Sequence, residues 1–147
     1  MYEHLLVATD GSKLSAKAVA HAIVLAKALG AKLTAFYASP GYPSPMYGEG
    51  FAYVPMTRKE YATLCAKDAD KVLKPISVKA EQAGLEFKSA HAIGDAPWEG
   101  ILGAARRNKC DGIVMASHGR RGMSAVLLGS ETQKVLTHTK LPVMVVR

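Results

Sequence analysis

The sequence predicts an α/β fold, a doubly wound parallel sheet with helices on both faces. Three observations point there. Short apolar runs alternate with amphipathic helical stretches five times along the chain, the pattern of repeated strand–helix units joined by right-handed crossovers. The first run holds Leu5-Leu6-Val7 without a polar break, which suits a strand buried on both faces rather than one half exposed to water. No internal repeat and no linker-like composition divides the 147 residues, so residues 1–147 read as one domain with a sizeable core.

The elements follow in order. His4–Thr9 is the first strand, and Thr9-Asp10-Gly11-Ser12 is a turn whose Ser12 caps a helix running to about Leu29. Lys13, Lys17 and His21 fall four apart and mark that helix's solvated face, so His21 reads as a surface residue before it reads as a ligand. Gly30 ends the helix, and Lys32–Ala38 is the second strand. Residues 39–56 then collect prolines 40, 43, 45 and 55, glycines 41, 48 and 50, and four aromatic residues. A structureless loop of this length is functional or disordered, and a lid, a partner contact and disorder all fit its composition.

Thr57-Arg58-Lys59-Glu60 is a capping box that opens a long helix with Tyr61, Leu64, Cys65, Val72, Leu73 and Ile76 on its apolar face. Pro75 is expected to kink it and Gly84 to stop it. Glu86–Ala92 is the third strand. Asp95 is the expected cap of the next helix, with Pro97 in its first turn and Trp98, Ile101, Leu102 and Ala105 as its buried stripe. Gly112–Met115, Ser130–His138 and Pro142–Val146 complete the pattern as strand, helix and strand. The last strand is apolar; at a sheet edge it would pair with a second copy, so a homodimer through Pro142–Val146 is expected.

Composition limits the function. Apolar residues make up 49% and charged residues 21%, as in ordinary globular proteins, and no apolar run is long enough to span a bilayer. The chain enters its first strand almost at once, leaving no room for a secretory leader, and Cys65 and Cys110 lack metal or redox spacing. A cytoplasmic protein with reduced thiols, not associated with membranes, is the expectation. The net charge of +7 is scattered along helices, with tight pairs only at Arg106-Arg107 and Arg120-Arg121. Without a basic tail or basic–aromatic stripe this is a solvated surface that attracts anions, and nucleic acid is not an expected partner.

The chemistry concentrates in Ala116–Ser130, which reads ASHGRRGMSAVLLGS. A glycine-rich loop between a strand and a helix start lets backbone amides converge on an anion, and the helix dipole adds to the attraction. Arg120 and Arg121 are placed to add charge-assisted contacts, while Ser130-Glu131-Thr132-Gln133 reads as a capping box. A tight loop without a ligand is the competing reading. Neither the Walker A lysine nor the dinucleotide G-x-G-x-x-G is present. In an open parallel sheet, ligands bind beyond the carboxyl ends of the strands where strand order reverses. If the first and fourth strands are neighbours, Asp10 and this loop flank one crevice. Asp10 is then either a ligand contact or a residue satisfying its own turn. The five histidines form no metal-spaced pair, and Ser117 and Ser124 lack a visible base. No efficient enzyme is expected, and ATP hydrolysis at most a weak one.

Val7-Ala8-Thr9-Asp10-Gly11-Ser12, the Ala92–Asp95 turn, Ser117-His118-Gly119-Arg120-Arg121-Gly122, Leu128-Gly129-Ser130 and Leu141-Pro142-Val143-Met144-Val145-Val146 together resemble the universal stress protein family over essentially the whole chain. The resemblance implies an adenine nucleotide alpha hydrolase-like fold, with sheet order 3-2-1-4-5 and a homodimer through the fifth strand. Its ATP-binding branch carries Gly-x-x-Gly, nine residues, then Gly-Ser or Gly-Thr. Gly119, residues 120–128 and Gly129-Ser130 match, while Ala116 replaces the first glycine. Carried over by position, Thr9, Asp10 and Tyr37 face the adenine; Met115 and Ala116 lie along the ribose; His118, Gly119, Arg120, Gly129, Ser130 and Glu131 belong to the phosphate end. A Mg²⁺ ion would be held by the phosphates rather than the protein. The implied function is an ATP-binding stress-response or regulatory dimer. A stress-family interaction module that binds no nucleotide, its site closed by Ala116 and Tyr37, is the alternative, and a slow ATPase a third.

Overall fold

The computed structural model describes residues 2–44, 46–48, 51–53, 56–119 and 128–147. Its elements are β1 (His4–Thr9), α1 (Lys13–Leu29), β2 (Lys32–Ser39), β3 (Met46–Gly48), β4 (Phe51–Tyr53), α2 (Arg58–Gln82), β5 (Phe87–Ile93), α3 (Pro97–Arg107), β6 (Gly112–Ala116), α4 (Ser130–His138) and β7 (Val143–Val146). Five strands form one sheet in the order β5-β2-β1-β6-β7, and each neighbouring pair is parallel. Counting only these strands, the order is the expected 3-2-1-4-5, so the direction of winding reverses between β1 and β6.

β1 is buried at every position, as its unbroken apolar run requires. Alternate side chains divide the core between the two faces. Leu5, Val7, Leu33, Ala35 and Val114 pack with α1 and with Ala69, Leu73 and Ile76 of α2. Leu6, Ala8, Phe36, Ile113 and Met115 pack with Ile101, Ala104 and Ala105 of α3 and Val135 of α4. Each large side chain so buried contributes about 1.5–3 kcal/mol.

Local chemistry sets most boundaries as expected. Ser12 accepts from the Ser15 amide at the head of α1, and Gly30 closes that helix at φ +65°, a conformation that favours glycine. Thr57 and Glu60 form the capping box of α2. The two cysteines are buried and unbonded, and burial pushes the Cys110 thiol up to about 11.

Several expectations are corrected. The stretch 39–56 is not structureless: Met46 pairs with Tyr53, Tyr47 with Ala52 and Gly48 with Phe51 in a short antiparallel hairpin. Leu64 of α2 is 43% exposed rather than on the buried face. Ala69 and Ala80 are buried instead. The cap of α3 is Ala96, without a side-chain bond, because Asp95 turns away and accepts from the Gly41 amide at 3.0 Å. Ser130 is the first residue of α4 and Gly129 its cap, again without a side-chain bond. Gln133 points its amide to the Leu128 carbonyl at 2.9 Å rather than completing a capping box.

Candidate functional site

The sheet's order brings the end of β1 beside the end of β6, and a cleft of about 570 Å³ opens there, within the range of small-molecule sites. Its floor and walls come from β1 and the following turn (Ala8, Thr9, Asp10), β2 (Phe36, Ala38), the β5–α3 turn (Gly94, Asp95) and the end of β6 (Met115, Ala116). His118, Gly119, Gly129, Ser130, Glu131 and Thr132 close the far side.

The β1–α1 turn is held by a chain of hydroxyls. The Gly11 amide donates to Thr9 Oγ1 at 3.2 Å, Thr9 Oγ1 meets Ser15 Oγ at 3.0 Å, and Ser15 Oγ donates to the Ser12 carbonyl at 3.0 Å. Either hydroxyl of the Thr9–Ser15 pair can donate, and Thr9 both shapes the turn and lines the cleft. Asp10 Oδ1 accepts from the Ser12 amide at 2.9 Å, while Oδ2 lies against Gly119. A β-carbon built on Gly119 would stand 2.7 Å from that oxygen. The carboxylate and the first loop glycine share one crevice, and the glycine is what lets them approach.

The loop's two ends are tied together. The Gly129 amide donates to the Ser117 carbonyl at 2.7 Å, and a β-carbon on Gly129 would lie 3.1 Å from the His118 α-carbon. Thr132 Oγ1, buried at the start of α4, donates to the Ala116 carbonyl at 3.0 Å. These bonds aim the amino end of α4 into the cleft, where its free amides and positive dipole favour an anion. Ser117 Oγ and His118 Nδ1 lie 3.1 Å apart, and the imidazole is half-buried. Arg120 and Arg121, expected to add charge here, lie outside the described residues.

Ala116, which replaces a family glycine, carries no backbone strain: among the described residues the only non-glycine at positive φ is Lys109. Its side chain packs into the core on the α1 face while also lining the cleft.

Tyr37 stands elsewhere. It packs against the core on the α1–α2 face, with its ring 6.1 Å from that of His91 in a stacked arrangement. His91 Nε2 in turn bonds Ser39 Oγ at 2.9 Å, and burial lowers the His91 pKa against the opposing charge of Asp70. Strand alternation gives the cleft Phe36 and Ala38 instead. The sequence reading missed these two, and also Ser15, Asp95 and Thr132. Register with β1, which pairs Ala8 with Phe36, is the signal that finds them. Glu131 reaches the cleft, but its Oε2 accepts from the Trp98 amide at 2.9 Å and its Oε1 from Lys134 at 3.0 Å. Among the described residues, no group of three or more His, Cys, Asp or Glu side chains gathers to hold a metal ion. No helix there is long and apolar enough to cross a membrane.

These features define a doubly wound α/β protein with an anion-favouring cleft at the reversal of its strand order. The chain belongs to the universal stress protein family, whose description matches residues 1–147. It is 32% identical to universal stress protein YxiE of Bacillus subtilis over 149 residues, covering 100% of both chains. A universal stress protein crystallised in complex with cAMP aligns with TM-score 0.72 and 25% identity, over 99% of this chain and 97% of that one. The universal stress protein from Archaeoglobus fulgidus in complex with dAMP aligns with TM-score 0.68 and 17% identity, over 99% and 98% of the two chains; at that identity the likeness is one of fold.

Proposed function

We propose that this protein binds an adenine nucleotide in the β1–β6 cleft, ATP or a relative of it, and acts as a cytoplasmic stress-response regulator in homodimeric form. The observation that carries the reading is the contact of Asp10 with Gly119 beside the amino end of α4. An acceptor-only carboxylate and an anion-favouring helix end occupy one cleft, matching a ligand with hydrogen-bond donors at one end and phosphate at the other. The structural relatives in complex with cAMP and dAMP support the adenine class.

In this reading Ala38 and Phe36 lie along the base, Met115 and Ala116 along the ribose, and Gly119, Gly129, Ser130 and His118 about the phosphates, with Arg120 joining them from the loop. Asp10 orients the nucleoside from the β1 turn. The cradle fits: the missing side chain of Gly119 leaves room for the Asp10 carboxylate, and the amino end of α4 borders the same cleft. A Mg²⁺ ion would enter with the phosphates it neutralises. Dimerisation is assigned to β7, which stands at the sheet edge with Met144 43% exposed and one side free among the described residues.

Calorimetry with ATP and Mg²⁺, beside mass spectrometry of whatever copurifies, tests the reading. Micromolar binding or a retained adenine nucleotide supports it. No binding below millimolar concentration, with nothing retained, leaves an interaction module without nucleotide.

A further inference from the structure

The amino end of α3 is capped from outside its own segment. Pro97 fills the first position and has no amide hydrogen, and Ala96 offers no capping side chain. Glu99 and Gly100 direct their amides to the Ala96 carbonyl at 3.1 and 3.3 Å. The Trp98 amide turns to Glu131 Oε2 at 2.9 Å, a partner 33 residues away in sequence. Glu131 itself lies in the first turn of α4, so one carboxylate sits favourably at the amino ends of two helices. Its other oxygen is held by Lys134 at 3.0 Å. Farther along the same interface the Trp98 ring lies 4.4 Å from the His138 ring, centroid to centroid.

These two helix ends form facing walls of the cleft. Pro97 and Ile101, with Gly94 and Asp95 just before them, line one side; Gly129, Ser130 and Thr132 line the other. Farther from the cleft the two helices are held by the sheet and by shared packing of Ile101, Ala104, Ala105 and Val135. At their amino ends, where the cleft opens, the Glu131–Trp98 bond joins the walls directly.

We propose that Glu131 is a positioning residue: by holding the Trp98 amide it sets the separation of α3 and α4, and with it the width of the cleft. The ligand arm of this inference rests on the nucleotide reading given above. The mechanism carries a sign. A carboxylate acting directly on phosphates repels them, and its removal tightens binding. A carboxylate acting as a brace preorganises the walls, and its removal weakens binding.

The test compares the wild type with Glu131→Ala and Glu131→Gln in two measurements on the full chain. The first is calorimetry with ATP and Mg²⁺. The second is hydrogen exchange at the Trp98 amide, with emission from Trp98, the sole tryptophan, as a check on its surroundings. Glu131→Ala is expected to bind about tenfold more weakly as the wall loses its preorganisation, with faster Trp98 exchange. Glu131→Gln keeps an acceptor oxygen and is expected to stay within about threefold of wild type with Trp98 protected. Unchanged or tighter binding by Glu131→Ala overturns the proposal, as does equal weakening by both variants. If the wild type binds no nucleotide, the nucleotide reading fails by itself. The brace is then judged at the Trp98 amide, where faster exchange in Glu131→Ala supports it and an unchanged rate overturns it.

Discussion

Replacing Gly119 with alanine tests the contact on which the site is built. The added β-carbon would lie 2.7 Å from Asp10 Oδ2 and 3.7 Å from Asp10 Cγ, so the nearer oxygen must move by roughly half an ångström to reach ordinary contact. Asp10 is short, and its other oxygen holds the Ser12 amide at 2.9 Å where α1 begins. A carboxylate that pivots while keeping this bond leaves its preferred rotamer at about 0.5–1.5 kcal/mol. One that swings free loses a charged hydrogen bond of about 1.5–3 kcal/mol. The two paths together span a destabilisation of about 0.5–3 kcal/mol, or about 2–10 °C in Tm for a chain of this size. In the proposed nucleotide reading the displaced group also orients the nucleoside, so ATP affinity should fall about tenfold, the scale of one lost hydrogen bond to a charged group. Urea denaturation and calorimetry measure the two effects. Gly94→Ala is the control: it alters another glycine of the same cleft whose β-carbon meets nothing within 4 Å, so its stability should stay within about 0.5 kcal/mol of wild type. A Gly119→Ala protein as stable and as tightly binding as the wild type would refute the placement of Asp10.

Three further outcomes are expected. Thr132→Val keeps the shape of a buried side chain but leaves the Ala116 carbonyl without its 3.0 Å donor, so urea denaturation should show a loss of about 1–3 kcal/mol; no loss would mean that water or another donor replaces it. Burial, followed by the charges of Lys88 and Lys32, lowers the His4 pKa, and burial lowers that of His91. The unfolded chain therefore binds more protons than the native one just below the ordinary histidine value of about 6.5. Stability should be complete above that value and decline as pH falls through it towards the lowered native values, with His4→Gln flattening the decline; a urea midpoint that holds or rises on acidification contradicts this. Met144→Lys places like charges across any two-fold pairing of β7, so light scattering should read a dimer for wild type and a monomer for the variant; a wild-type monomer would remove the basis for that interface.

The elements most legible in sequence were those whose ends are decided by near neighbours. Ser12, Gly30 and the Thr57–Glu60 capping box act within three or four residues, and the helices they bound, Lys13–Leu29 and Arg58–Gln82, begin and end close to where the residues predict. The less legible features depend on partners far away. Asp95 has the chemistry of a cap, yet it serves Gly41, 54 residues distant, and α3 is capped by Glu131 from 33 residues away. Nothing local distinguishes a cap used at home from one lent across the fold. The face that β2 turns to the cleft is illegible for a different reason. β2 reads KLTAFYAS, apolar or small almost throughout because both of its faces are covered. A run without polar alternation does not say which side chains share the cleft; the family resemblance places Tyr37 there, and pairing with β1 gives the cleft Phe36 and Ala38 instead.

The cleft also explains why Ala116 does not decide the matter against a ligand. The family glycine at this position would allow positive φ or a close backbone approach, and only the first would exclude alanine outright. Ala116 is instead the last residue of β6, paired in parallel register with Val146, and its carbonyl is held by Thr132. Its backbone is ordinary strand, its methyl belongs to the core on the α1 face, and the surface it shows the cleft is small. At the described ends of the β6–α4 loop, a side chain at Gly119 would crowd the Asp10 carboxylate and one at Gly129 the His118 backbone. Around this cleft the demand for glycine thus falls where loop and helix converge, and relaxes at the end of the strand that feeds them.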